Sequence, residues 1–288
     1  MLKAHYKIED IVEKAENLSH VPTAVLNLMK MLSTKDVTVR EIIAVIEKDQ
    51  GLVARVFKVA NSSFYGRIKK AENLNEAVVT MGLRGIRSFV IAQAVKHVLT
   101  TTNTNDYYLL WEHAVKVSIA SFVLAKEMRY EMIEDALVGG LVHDIGKAFI
   151  ESGYPGVSSL IYQMTIKNHI TYEEAERSIL DFNHAEIGAL ITDRWGFPQK
   201  IVDVIRYHHC ADVSKEVGDE TRTVIHIVKL ANIIDNQYNA LCNSSMACVS
   251  EKLSASGLID FTADRLKYLL EEIESKWKSE GDGSLFFY

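Results

Sequence analysis

The stretch Asp135–Ile150, DALVGGLVHDIGKAFI, decides how this chain is read. Ala136 to Val142 form an apolar run with two adjacent glycines inside it, and His143 and Asp144 end it. Gly139 and Gly140 carry no side chain, so a neighbouring helix can come close there. An imidazole and a carboxylate at the edge of apolar packing need polar or ionic partners, because burying either alone is costly. Together they are nitrogen and oxygen ligands suited to iron, manganese or zinc, and a carboxylate can bridge two ions. Lys147 follows His143 by one helical turn and shares its face, where an ammonium can meet a bound phosphate.

On either side of this stretch the pattern is helical. The chain has only 3 prolines and 15 glycines among 288 residues, and its apolar residues recur at three- and four-residue spacing, the mark of packed amphipathic helices. No run of alternating strands occurs, so the fold class is all-α. Thr38-Val-Arg-Glu41 and Thr171-Tyr-Glu-Glu174 match the capping box that opens a helix. Gly196 can end one helix in a left-handed conformation and Pro198 suits the first position of the next, which predicts a tight corner. Helices are predicted near residues 7–18, 22–33, 38–48, 50–60, 73–81, 83–99 and 107–128. The polar segment TTTNTND, residues 100–106, is the best internal boundary. It divides the chain into a helical part, residues 1–105, and a second helical part, residues 106–288, that carries the metal-ligand candidates. The two should pack together, because the helix Ile86–Val98 is apolar over much of its circumference and must be covered. The tail EGDGSLFFY, residues 280–288, reads as a frayed end.

Further histidines and acids fall where a helical wheel aims them inward. His113 shares a face with Val117, Ala120 and Val123, and Asp235 with Val224, Val228 and Ala231. His184 opens a helix whose next turn places Gly188 beneath it, leaving room for an ion or ligand. His208 and His209 close the helix that starts at Pro198. Taken alone, each has an ordinary structural reading, as a hydrogen-bonded core histidine or a complement to a helix dipole. As an ordered series they point to one site. His5, His20, His97, His169 and His226 fit no such series, and Cys210 reads as a packed thiol.

Composition narrows the classes of function. The three cysteines, Cys210, Cys242 and Cys248, are odd in number and lack CxxC spacing, which argues against a disulfide framework or a thiolate zinc site. The N-terminus lacks the apolar core of a signal peptide, and no apolar stretch approaches the ~18 to 20 residues of a membrane span. The chain therefore reads as soluble and cytoplasmic, without a membrane partner. A net charge of −6 with dispersed basic residues argues against nucleic acid as a partner. Arg84, Arg87, Lys96, Lys69 and Lys70 read as solvated helical faces.

The second half, from Trp111-Glu112-His113 through His143-Asp144-Ile145-Gly146-Lys147 to Asp235, resembles the HD superfamily of metal-dependent phosphohydrolases. HDIGK is the specific element. The order His, His-Asp, His, His-His, Asp is similar to the binuclear HD-GYP type, which hydrolyses cyclic di-GMP. That resemblance implies two divalent metal ions. It gives His113, His143, Asp144 and Asp235 to one and His184, His208 and His209 to the other, with Asp144 bridging and Lys147 beside substrate phosphate. The residues after His209 contain no GYP segment, and Leu109 stands where some members carry a glutamate for a third ion. In the first half, Asp49–Val56 (DQGLVARV), Ala60–Gly66 (ANSSFYG) and Ala77–Leu83 (AVVTMGL) resemble the HDOD family, the HD-related output domains. With them the resemblance covers about residues 15–240. It implies a multi-helix HD-superfamily domain packed against an N-terminal helical part, and a signalling role through protein partners. The alternative is a phosphohydrolase acting on a phosphate-containing small molecule, with Asp144 and Lys147 as catalytic residues.

Overall fold

The computed structural model describes residues 6–17, 22–32, 37–62, 65, 69–100, 105–210, 213, 215–241 and 262–280. The tail after Glu280 and most of TTTNTND lie outside them. The described residues are helical throughout, without a strand. The order is α1 (Ile8–Asn17), α2 (Thr23–Leu32), α3 (Val39–Ile46), α4 (Gln50–Ala60), α5 (Leu74–Thr100), α6 (Asn105–Glu127), α7 (Ile133–Val142), α8 (Ile145–Gly153), α9 (Val157–Asn168), α10 (Tyr172–Leu180), α11 (His184–Arg194), α12 (Gln199–Tyr207), α13 (Asp219–Leu241) and α14 (Ala263–Glu280).

Local chemistry sets these boundaries. Both capping boxes form: the hydroxyls of Thr38 and Thr171 accept from the amides of Glu41 and Glu174, and each glutamate accepts in return from its threonine's amide. A third box, Asn183 with Glu186, opens α11 and makes His184 its first residue. Asn183-x-x-Glu186 carries the same capping-box signal in sequence. Gly82, at φ 65° and ψ 174°, breaks α5 into the two segments expected there. Gly196 takes φ +76°. Pro198 is the N-cap of α12 rather than its first residue.

Two apolar clusters hold the helices together. One runs from Ile11, Leu28, Ile42, Ile46, Leu52 and Val56 through Ile86 and Val95 to Phe149, Ile187 and Ile205, so the N-terminal helices pack directly against those that carry the ligand candidates. The other joins α6, α7, α12, α13 and α14 through Val117, Leu124, Val204, Val228, Ala231 and Leu266. α5 is the seam, touching α2, α3 and α4 on one side and α6, α7 and α8 on the other.

Contrary to the expectation from composition, the chain does hold apolar stretches as long as a membrane span. Leu74–Leu99 and Tyr108–Glu127 are long and apolar enough to meet a membrane-span test, with 61% and 56% of those windows buried inside the fold. A helix enclosed by protein on most sides is apolar around its circumference for the same physical reason as a membrane helix.

Candidate metal centre

Two close helix approaches build the site. Gly140 on α7 lies against α6 so tightly that a Cβ there would come within 2.8 Å of the Ser118 Cα and of the Val117 carbonyl oxygen. That approach brings His143, at the end of α7, beside His113 on α6. Gly146 on α8 meets the first turn of α11, where a Cβ would stand 1.8 Å from the His184 carbonyl oxygen. That brings Asp144 beside His184. Gly188 faces the same crossing, with the Gly146 backbone on one side and Ile205 on the other. The space beneath His184 therefore receives the α8 backbone, not an ion or ligand, which corrects the expectation for Gly188. The end of α12 supplies His208 and His209.

Five histidines converge on Asp144. His143 and His208 donate from Nδ1 to the backbone carbonyls of Gly140 and Ile205 at 2.7 and 2.8 Å. A carbonyl only accepts, so Nδ1 carries the proton and Nε2 faces inward with a lone pair. The other three are held at Nδ1 by carboxylates: His113 by Asp235 at 2.7 Å, His184 by Glu176 at 2.6 Å, and His209 by Glu173. Every Nε2 then points into the centre. His113 and His143 present theirs 3.3 Å apart, His184 and His208 3.4 Å apart, and His184 and His209 3.1 Å apart.

Asp144 lies between the two sets. Its Oδ2 is 3.4 Å from Nε2 of both His113 and His143, and its Oδ1 is 3.1 Å from that of His184 and 3.5 Å from that of His208. Oδ1 is buried and makes no hydrogen bond. Lone pairs cannot face one another at these distances around a carboxylate without a positive charge among them. Two groups of ligand atoms are close enough to hold an ion: His113, His143 and Asp144, and Asp144, His184, His208 and His209. Orphaned acceptor, inward lone pairs and a nitrogen-oxygen donor set all fit a divalent cation.

Without an ion, protons must supply that charge. Burial works against a charged His184, yet Glu176 and Asp144 outweigh it and raise its pKa to about 9. Burial also opposes protonation of His113, but its bonds to Asp144 and Asp235 push it up. Burial keeps His143 and His208 down. Each set thus pairs a histidine that favours a proton with one that does not. Burial would raise Asp144, but the charges of His143, Lys147 and His184 hold it well below the carboxylate range.

All the sequence candidates come together, in somewhat different relations than expected. Asp235 reaches the centre through His113 rather than joining either group of converging atoms. Lys147 meets Asp144, with Nζ 2.5 Å from Oδ2, and lies 4.9 Å from the centre of the Tyr172 ring. A cavity of about 610 Å³ opens onto His113, Asp144 and Lys147, with Glu151, Ser158, Tyr162 and Tyr172 among its walls. Glu173 and Glu176 were missed by sequence reasoning. Their three-residue spacing on α10 was visible, but Glu173 lies in the first helical turn, where acids are ordinary complements to the helix dipole, and Glu176 follows among further acids of the same helix.

Residues 18–211 match the HDOD domain family. Over 224 residues the chain is 28% identical to an uncharacterized protein of Treponema pallidum (strain Nichols), a span of 77% of this chain and 43% of that relative. The chain thus spans less than half the length of the curated relative it matches. Among solved structures, a candidate phosphohydrolase of Shewanella amazonensis SB2B superposes with a TM-score of 0.70 at 23% identity, over 96% of both chains. An HDOD domain protein of unknown function from Geobacter sulfurreducens gives 0.65 at 23% identity, over 96% of this chain and 95% of that one. A candidate metal-dependent phosphohydrolase from Shewanella amazonensis SB2B gives 0.60 at 18% identity, over 93% and 97%. At these identities the likeness shows a shared all-α fold.

Proposed function

Because the chain belongs to the HDOD family, we propose that it is a signalling protein whose HD-type centre holds two divalent metal ions, drawn from iron, manganese and zinc. The observation that carries this reading is the set of five inward Nε2 atoms around an Asp144 Oδ1 that has no hydrogen bond. His113, His143 and Asp144 would hold one ion and His184, His208 and His209 the other, with Asp144 offering one oxygen to each. Asp235, which the resemblance gives to the first ion, would orient His113. Four separate segments would be tied together, so the centre would rigidify the face a partner meets. The reading includes protein partners and a cytoplasmic setting.

A second reading, hydrolysis of a phosphate ester, is favoured by the cavity that opens on the centre. When bound, divalent ions polarise phosphoryl oxygens and make a nucleophile available from water. Lys147 sits at the junction of cavity and centre, where its ammonium would bind and orient a phosphate oxygen. Burial works against that charge, but Asp144 keeps the ammonium protonated. No GYP segment follows His209, so cyclic di-GMP is not the proposed substrate and turnover should be weak.

Metal analysis of the protein as purified, with a phosphodiesterase and nucleotidase panel, tests both readings. We expect metal in the wild type, its loss in Asp144→Ala, and a signalling phenotype that survives that substitution. Metal-free wild-type protein that takes up neither manganese nor iron would end the metal reading. Robust manganese- or iron-dependent turnover, abolished together with the phenotype in Asp144→Ala, would make the protein an enzyme first.

A further inference from the structure

The two ion positions differ in what stands behind them. In the group of Asp144, His184, His208 and His209, two of three imidazoles are backed by carboxylates from one helix. Glu176 bonds His184 Nδ1 at 2.6 Å and also accepts its backbone amide at 3.0 Å. Glu173, three residues earlier on α10, bonds His209 Nδ1. A carboxylate behind an imidazole fixes its tautomer and raises its basicity as a ligand. α10 is itself anchored, by the Thr171–Glu174 capping box and by buried Ala175 and Leu180. This group also has the Asp144 oxygen that no hydrogen bond occupies.

The other group has fewer atoms and a competitor. His113 and His143 share Asp144 Oδ2, and that oxygen already accepts from the Lys147 ammonium at 2.5 Å. An ion there would sit beside a like charge and divide its carboxylate oxygen with it. One carboxylate, Asp235, backs this group, through His113. Behind His143 stands only a backbone carbonyl.

We infer that the two positions are unequal: the one lined by His184, His208 and His209 fills first and holds its ion more tightly, with Glu173 and Glu176 as its positioning residues. In the singly loaded protein the Lys147 ammonium supplies the positive charge of the other position. This rests on the metal-binding reading above, and the experiment separates failure of one from failure of the other.

Metal-free full-length protein would be titrated with cobalt(II), followed by its visible absorption and by native mass spectrometry to count ions. Two stages are expected. Glu173→Gln should weaken the tighter stage about tenfold to a hundredfold and leave the weaker stage in place, whereas Asp235→Asn should weaken only the second stage. Lys147→Met should tighten the second stage. Glu173 is 21% exposed, so its variant tolerates change better than buried Glu176, and thermal melts of the metal-free variants check folding. If only one stage appears, sensitivity to Glu173→Gln supports the inference and sensitivity to Asp235→Asn overturns it. Two indistinguishable ions, or a tighter stage that responds to Asp235→Asn, also overturn it while metal binding stands. Wild-type protein that binds no cobalt overturns the metal reading and this inference with it.

Discussion

Gly146 and Gly188 meet backbone to backbone where α8 crosses α11: a Cβ on Gly188 would lie 3.1 Å from the Gly146 nitrogen, and one on Gly146 would run into the His184 carbonyl. The crossing sets how far Asp144 stands from His184, so a side chain there would push the two halves of the centre apart. Gly146→Ala should destabilise the fold by about 3 kcal/mol, at the upper end of overpacking costs, and should weaken metal binding. Gly218→Ala, where an added Cβ meets nothing within 4 Å, should stay within about 0.5 kcal/mol. Urea unfolding of both variants checks this, and equal losses would contradict it.

Chelation should lower the melting temperature, because an ion bound only by the folded state stabilises it by mass action. At a free ion concentration one hundred times Kd the gain is about 2.7 kcal/mol, which corresponds to roughly 5 to 10 °C for a protein of this size class. Calorimetry with manganese and with a chelator measures it, and identical melts would remove the basis for a metal centre.

Proton and metal compete at His184. Its folded pKa of about 9 lies above its ordinary 6.5, so in the metal-free protein its contribution to stability is complete below pH 6.5 and is lost as pH rises through about 9. Between those values ion binding must displace this proton. Metal affinity should therefore rise by about tenfold per pH unit toward pH 9, with proton release visible by titration calorimetry in buffers of different ionisation enthalpy. Affinity that does not change with pH would contradict this.

Glu173 answers the other end of the scale. Burial pushes its carboxyl up, but the bond to His209 and that ring's charge win and lower it to about 2. Its contribution is present above its ordinary 4.5 and fades as pH falls toward 2. Acid unfolding of wild type and Glu173→Gln should converge at low pH and separate above 4.5, with wild type the more stable.

Asn183 holds His184 at the mouth of α11 by accepting from the Glu186 amide at 3.0 Å. Asn183→Ala should cost about 1 kcal/mol, the usual loss of an N-cap, and Asn183→Ser should recover most of it. Thermal melts of the two variants distinguish a capping role from simple loss of packing.

Helix positions were legible because the forces that set them are local. Thr38–Glu41, Thr171–Glu174, Gly82 and Gly196 act within a turn or two of themselves, and apolar spacing reports which face each helix buries. The chemical types of the centre were legible as well. His113, His143, Asp144, Lys147, His184, His208, His209 and Asp235 are unusual on apolar faces, and HDIGK tied them to a known pattern. The relations among them were decided by tertiary structure. That Asp235 stands behind His113 and that Glu173 and Glu176 brace the far histidines depend on how α6, α10, α11, α12 and α13 cross, whereas the bond from Lys147 to Asp144 Oδ2 is local, three residues apart at the start of α8. Glycine shows the limit most plainly, since sequence shows that Gly188 lacks a side chain but not which neighbour takes the space. Helical periodicity tells a residue which way to face, and only the long-range packing of one helix on another decides what it meets there.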